Sequence, residues 1–129
     1  MIGYAMVGTN DIARATGFYD ALFATIGAKR MMEFPSGGVA YGVDFAKPMM
    51  AVQAPYDGNP ACVGNGCMLA LVLDERPHVD TLHAKALELG GADEGAPGVR
   101  GSEGPQAFYG AYFRDLDCNK FCAFHIGPA

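Results

Sequence analysis

The strongest constraint on this chain is that it writes one pattern twice. Displaced by 64 positions, Tyr4 falls on Met68, Asn10 on Asp74, Phe18 on Leu82 and Gly27 on Gly91. Each copy opens with a β-prone run, passes a polar residue suited to capping, and enters apolar residues spaced three and four apart. Each is followed by enough extended sequence for about three more strands of roughly five to six residues. Two copies of one small unit share a core and often a cleft. The expectation is an α+β fold of two βαβββ modules, residues 1–55 and 67–129, joined by a linker at 56–66.

Within the first copy, Asn10 is placed as the helix N-cap, with Asp11 in the first turn. Ile12, Ala15, Phe18, Tyr19, Leu22, Phe23 and Ile26 form one buried face, and Gly27 ends the helix as a left-handed cap. Extended segments at 28–34, 39–45 and 49–54 are separated by Pro35-Ser-Gly-Gly38 and Ala46-Lys-Pro48. In the second copy, Cys67–Leu73 is apolar on both faces, so this strand is expected to be covered on both sides. Asp74 is placed as the cap of a helix with Pro77 in its first turn and Val79, Leu82, Ala86 and Leu89 inward. Gly90-Gly91 ends it, and segments at 92–100, 106–115 and 120–126 follow. The four glycines from Gly95 to Gly104 predict a mobile loop.

Composition narrows the function classes. The net charge is −5 and no basic cluster occurs, which argues against nucleic acid or an anionic membrane as partner. No apolar run approaches the roughly 20 residues of a membrane span. The opening Met1-Ile-Gly-Tyr-Ala-Met-Val7 reads as a strand rather than a signal peptide, so a cytoplasmic protein with reduced thiols is expected. Cys62 and Cys67, and Cys118 and Cys122, are spaced more loosely than the usual zinc-binding pair. They read as plain thiols rather than a structural zinc site.

Three stretches together resemble the vicinal oxygen chelate superfamily, which includes glyoxalase I, bleomycin-resistance proteins and extradiol dioxygenases. They are the opening Tyr4-Ala-Met-Val-Gly-Thr-Asn-Asp11, the helix text Ala15-Thr-Gly-Phe-Tyr-Asp-Ala-Leu-Phe23, and Phe113-Arg-Asp-Leu-Asp-Cys-Asn-Lys120, which looks like that family's last hairpin. The resemblance implies two modules whose curved mixed sheets enclose a cup, usually in a homodimer, with a divalent metal held in the enzymatic members by His, Glu or Gln. Carried over position by position, the four ligands fall on Tyr4, Gln53, Met68 and Cys122. A phenol, a thioether and a thiol suit a hard ion poorly, so no metal and no other cofactor are expected.

If the cup is present, alternation puts Tyr4 and Met6, Met49 and Gln53, and Cys122 and Phe124 on its lining beside Met68. Arg114 is a candidate clamp for a carboxylate, its alternative being an ion pair with Asp115 or Asp117. Tyr109 and Tyr112 lie an odd number of residues apart, so at most one lines the cup. Cys122 has no histidine placed beside it and reads as an inert thiol, while His78, His83 and His125 read as packed, surface or structural. Cys118 stands where the family usually has glycine. Two readings of function stay open. One is a metal-free protein that binds a small organic molecule in an apolar cup, as the bleomycin-resistance members do. The other is a glyoxalase I-like lyase or related metal-dependent enzyme with non-standard ligands. A closed cup serving only dimer contact is a third.

Overall fold

A computed structural model describes all of residues 1–129. The element order is β1 (Tyr4–Gly8), α1 (Ile12–Ala24), β2 (Lys29–Glu33), β3 (Val39–Gly42), β4 (Met49–Gln53), β5 (Leu69–Val72), α2 (Arg76–Glu88), β6 (Ala92–Arg100), β7 (Phe108–Arg114) and β8 (Lys120–Ile126). The strands form two four-stranded mixed sheets, ordered β1-β4-β3-β2 and β5-β8-β7-β6. In each sheet the first strand runs parallel to the last, and the remaining pairs are antiparallel. These are two βαβββ modules, and the displacement of 64 carries α1 onto α2 residue for residue.

Both helices form for the reason their spacing predicts. Ala15, Phe18, Tyr19, Leu22 and Phe23 are buried along α1, and Val79, Leu82, His83 and Ala86 along α2. The caps differ from expectation by one residue. Asp11, not Asn10, caps α1 by accepting from the Arg14 backbone N–H at 3.0 Å. Asn10 is instead bonded through both ends of its amide to the Ala61 backbone, at 2.6 and 3.1 Å, and ties the linker to the first module. Glu75 rather than Asp74 occupies the cap position of α2 and makes no side-chain capping bond. Gly27 has φ 71° and Gly90 has φ 98°, the left-handed geometry expected at both helix ends.

One core serves both modules. Residues from α1, α2 and the helix-facing sides of both sheets form a single buried cluster. Tyr19 packs its ring against Phe18, Phe23 and Tyr41 of its own module and against Phe121 of the other. Phe121 in turn stacks on Phe113 at 5.4 Å.

The turn between β7 and β8 locks this junction. Asp115, only 5% exposed, accepts from the backbone N–H groups of Asp117 and Asn119, the Asn119 amide, and the Tyr19 hydroxyl. Asp117 accepts from the Thr9 hydroxyl at 2.6 Å and the Asn10 N–H at 3.1 Å, and the Asn119 amide donates to Gly8 O at 2.9 Å. Burial, and then the charge of Asp115, hold the Tyr19 phenol protonated at any ordinary pH.

Cys118 sits in the same turn with φ 66°, and no other non-glycine residue has positive φ. A Cβ in left-handed backbone costs roughly 1–2 kcal/mol, partly offset by the greater freedom glycine loses on folding. Cys118→Gly is therefore expected to raise stability by about 1 kcal/mol, read as a later urea midpoint with unchanged slope.

Two expectations need correcting. The stretch 95–100 is not a mobile loop but the second half of β6, paired with β7 through two register shifts. Those shifts absorb the glycines as bulges. The strand opening the second module is not covered on both sides, since Leu69 and Leu71 are half-buried against the core while Ala70 and Val72 are exposed. Within one chain no layer lies over its second face.

Candidate functional site

Side chains of β1, β3, β4, β5, β7 and β8 point alternately to the common core and to an opposite face, the open face. In the first sheet the open face carries Tyr4 and Met6 on β1, Met49, Ala51 and Gln53 on β4, and Ala40 and Gly42 on β3. In the second it carries Ala70 and Val72 on β5, Cys122 and Phe124 on β8, Gly110, Tyr112 and Arg114 on β7, with Met68 just before β5. The lining residues named from sequence thus stand on open faces, in two groups on separate sheets. No strand of one sheet pairs with a strand of the other. The open faces are apolar and only partly wet: Tyr4 is 60% exposed, Met6 48%, Met68 44% and Val72 73%, whereas Ala40, Ala51 and Cys122 are buried beneath neighbouring side chains.

Pairing register moves one of the four carried-over positions. Tyr4 stands beside Met49, and Gln53 stands beside Gly8, four residues further along parallel strands. At about 3.3 Å per residue Tyr4 and Gln53 are separated by about 13 Å along the sheet. In the second module Leu69 stands beside Phe121 and Ala70 beside Cys122. Matching the two parallel pairs makes Ala51, not Gln53, the counterpart of Cys122, and Phe124 the counterpart of Gln53. With that register, the quartet the resemblance implies falls on a phenol, a methyl, a thioether and a thiol. Nowhere in the chain do three His, Cys, Asp or Glu side chains come together to hold a metal ion. These residues do not fit the family's usual divalent cation, because a single phenol oxygen stands among them with no carboxylate or imidazole to complete the site.

The remaining candidates fall as follows. Arg114 is on the open face and bonds Glu94 and the Cys118 carbonyl, rather than Asp115 or Asp117. Glu94 was not legible as its partner because it lies at a bulge in β6. Tyr112 is on the open face, whereas Tyr109 turns to the helix side and donates to Asp80 at 2.7 Å. His83 is buried on α2 beside Asp93 at 3.1 Å, and His125 lies at 3.0 Å from the Leu73 carbonyl on the core side. Neither reaches an open face. Phe108, Arg100 and Lys120 are open-face residues that sequence reasoning passed over. Alternation through 106–126 was the signal for Phe108 and Lys120, whereas Arg100 depends on the bulged register of β6.

Cys122 is 1% exposed. Burial pushes its thiol up, and the Tyr112 hydroxyl and the charges of Arg100 and Lys120 offset this only in part. It is a protonated, shielded thiol at neutral pH. Cys62, Cys67 and Cys118 are exposed and free. Titration of the native protein with a thiol-specific disulfide reagent is expected to count three fast thiols, the fourth appearing only on unfolding.

Two βαβββ modules joined through their helices, each with an open curved face, define the glyoxalase class of fold. Among solved structures, the chain superposes with a TM-score of 0.84 on a glyoxalase/bleomycin resistance protein from Albidiferax ferrireducens T118, at 34% identity over 97% of this chain and 98% of that one. It is also similar to the hypothetical protein SA1046 from S. aureus, with TM-score 0.72 and 24% identity over 97% and 92% of the two chains. A glyoxalase/bleomycin resistance protein/dioxygenase family enzyme from Burkholderia phytofirmans PsJN matches with TM-score 0.70 and 21% identity over 96% and 97%. No family model matches the sequence, and no curated protein does. The chain belongs to the glyoxalase/bleomycin resistance protein family.

Proposed function

We propose that this protein binds a small organic molecule without a metal, and does so as a homodimer. The observation that carries the reading is the donor set: Tyr4, Ala51, Met68 and Cys122 occupy the ligand-equivalent positions, and none of them suits a hard cation. Methionines and aromatics instead give a polarizable, adaptable apolar lining, with the Tyr4 hydroxyl and Gln53 amide as polar handles. The dimer follows from the two open faces. Exposed apolar area of this extent marks an interaction surface, and the first sheet of one copy laid over the second sheet of another covers both. Four free thiols and the absence of any helix long and apolar enough to cross a membrane accord with a cytoplasmic setting.

Metal analysis of freshly purified, dialysed protein is the deciding test, with far less than one equivalent of Zn, Ni, Mn or Fe expected. An equivalent that survives dialysis would sink the metal-free reading. An assay with methylglyoxal–glutathione hemithioacetal, with and without added nickel or zinc, checks the lyase alternative, and no turnover is expected in either arm. Sedimentation at micromolar concentration is expected to give twice the chain mass.

A further inference from the structure

The binding role leaves the chemistry of the ligand open, and the charges of the second open face narrow it; this inference rests on that role. Of the nine lysines and arginines, five are in salt bridges: Arg14, Arg30, Arg76, Lys85 and Arg114. The other four are Lys29, Lys47, Arg100 and Lys120. In a chain of net charge −5, two of these four converge on one ring. The Arg100 guanidinium carbon lies 5.5 Å from the centroid of Tyr112, and the Lys120 ammonium lies 5.9 Å from it.

The backbone beneath is shaped to let this happen. A Cβ on Gly98 would come within 3.1 Å of the Arg100 guanidinium, and one on Gly95 within 3.0 Å of the Tyr112 ring. The guanidinium is steadied by the Ala96 carbonyl at 2.7 Å. Alongside, Phe108 swings over Gly110, where a Cβ would meet its ring at 2.6 Å, and stacks on Phe124 at 5.2 Å with 9° between planes. At the Lys120 end a cleft of about 270 Å³ opens between Arg114, Lys120, Met68 and the 63–67 loop.

Neither cation is in a salt bridge. Glu94 feels the charge of Lys120, but its hydrogen bond goes to Arg114, which it already neutralises. The face that would close over this one from a second copy presents Tyr4, Met6, Met49, Ala51 and Gln53, none of them acidic. Covering two cations without a counter-charge is costly, and an anion brought in with the ligand removes that cost. The stacked phenyl pair beside them supplies a flat apolar platform.

We infer that the ligand is an organic anion with a flat apolar body. Its carboxylate, sulfonate or phosphate group lies between Arg100 and Lys120 above Tyr112, and its body lies on Phe108 and Phe124.

Two fluorescent probes of similar shape test this. 1-Anilinonaphthalene-8-sulfonate carries the anion, and N-phenyl-1-naphthylamine does not. The wild-type protein is expected to bind the sulfonate about tenfold more tightly than the neutral probe, with the advantage shrinking as salt is added. Arg100→Gln with Lys120→Gln is expected to erase that advantage while leaving the neutral probe's affinity within about twofold. Arg100→Lys with Lys120→Arg keeps both charges and should retain most of it, and thermal melts of all three proteins should agree. Equal affinity for the two probes in the wild type, or an unchanged advantage in the double glutamine variant, overturns the anionic ligand and leaves the apolar binding role standing. Failure of both probes to bind overturns the two together.

Discussion

Asp115→Ala is expected to cost about 3–5 kcal/mol, a large share of the roughly 5–15 kcal/mol that holds a domain of this size together. The carboxylate receives four hydrogen bonds in a setting that is nearly dry. Removing it strands the Tyr19 hydroxyl, which has no exposure at all, and two backbone N–H groups of the turn. Each buried donor without an acceptor costs about 1–3 kcal/mol. The loss also loosens the joint between modules, because the same turn holds Thr9, Asn10 and Gly8 through Asp117 and Asn119. Tyr19→Phe removes one donor and leaves three, so about 1–2 kcal/mol is expected there. Urea unfolding followed by circular dichroism reads both. A loss under 1 kcal/mol for Asp115→Ala would mean that the turn is not what fastens the second module to α1.

The second large effect is a gain. Tyr4→His, Ala51→Glu, Met68→His and Cys122→Glu together restore imidazole and carboxylate donors at the four equivalent positions. Such a set should bind nickel or zinc at micromolar concentration or better, about 8 kcal/mol of affinity where the unmodified chain is expected to show none. Titration calorimetry on the dialysed variant measures it. The informative control keeps Ala51 and carries Gln53→Glu instead. Parallel pairing puts that carboxylate one pleat away, and much weaker binding is expected. If the Gln53→Glu set proves as good, the register argument is wrong. If neither set takes up metal, the open faces do not meet in the assembled protein as the homodimer reading requires.

That control marks the limit of what alternation can say about a strand. Residues two apart share a face, so Gln53 and Ala51 look alike in sequence as candidates for the same place. Only the neighbour across the ladder separates them, and the neighbour is a long-range fact. The caps show the same limit at shorter range. Asn10 and Asp11 are both good caps, and the choice is made by Ala61, 51 residues beyond Asn10, which engages the Asn10 amide. The glycines of β6 looked like a loop because a bulged strand and a flexible one share a composition. Asp115 was visible as part of a hairpin text, but its burial under Tyr19 depends on how α1 docks against the other module.

The two-module plan, the helix faces and their glycine ends were written in local periodicity, which a helix or strand obeys whatever it packs against. The shared face of Tyr4 and Met6, and of Cys122 and Phe124, was equally legible, since alternation holds in a strand whatever covers it. Tertiary structure decided the rest. It gathered both helices into one core and thereby turned the remaining faces outward. It also brought Arg100 and Lys120, twenty residues apart in the chain, to one aromatic ring. Such meetings are set by pairing register and by where a missing Cβ leaves room, and neither is a property of any segment alone.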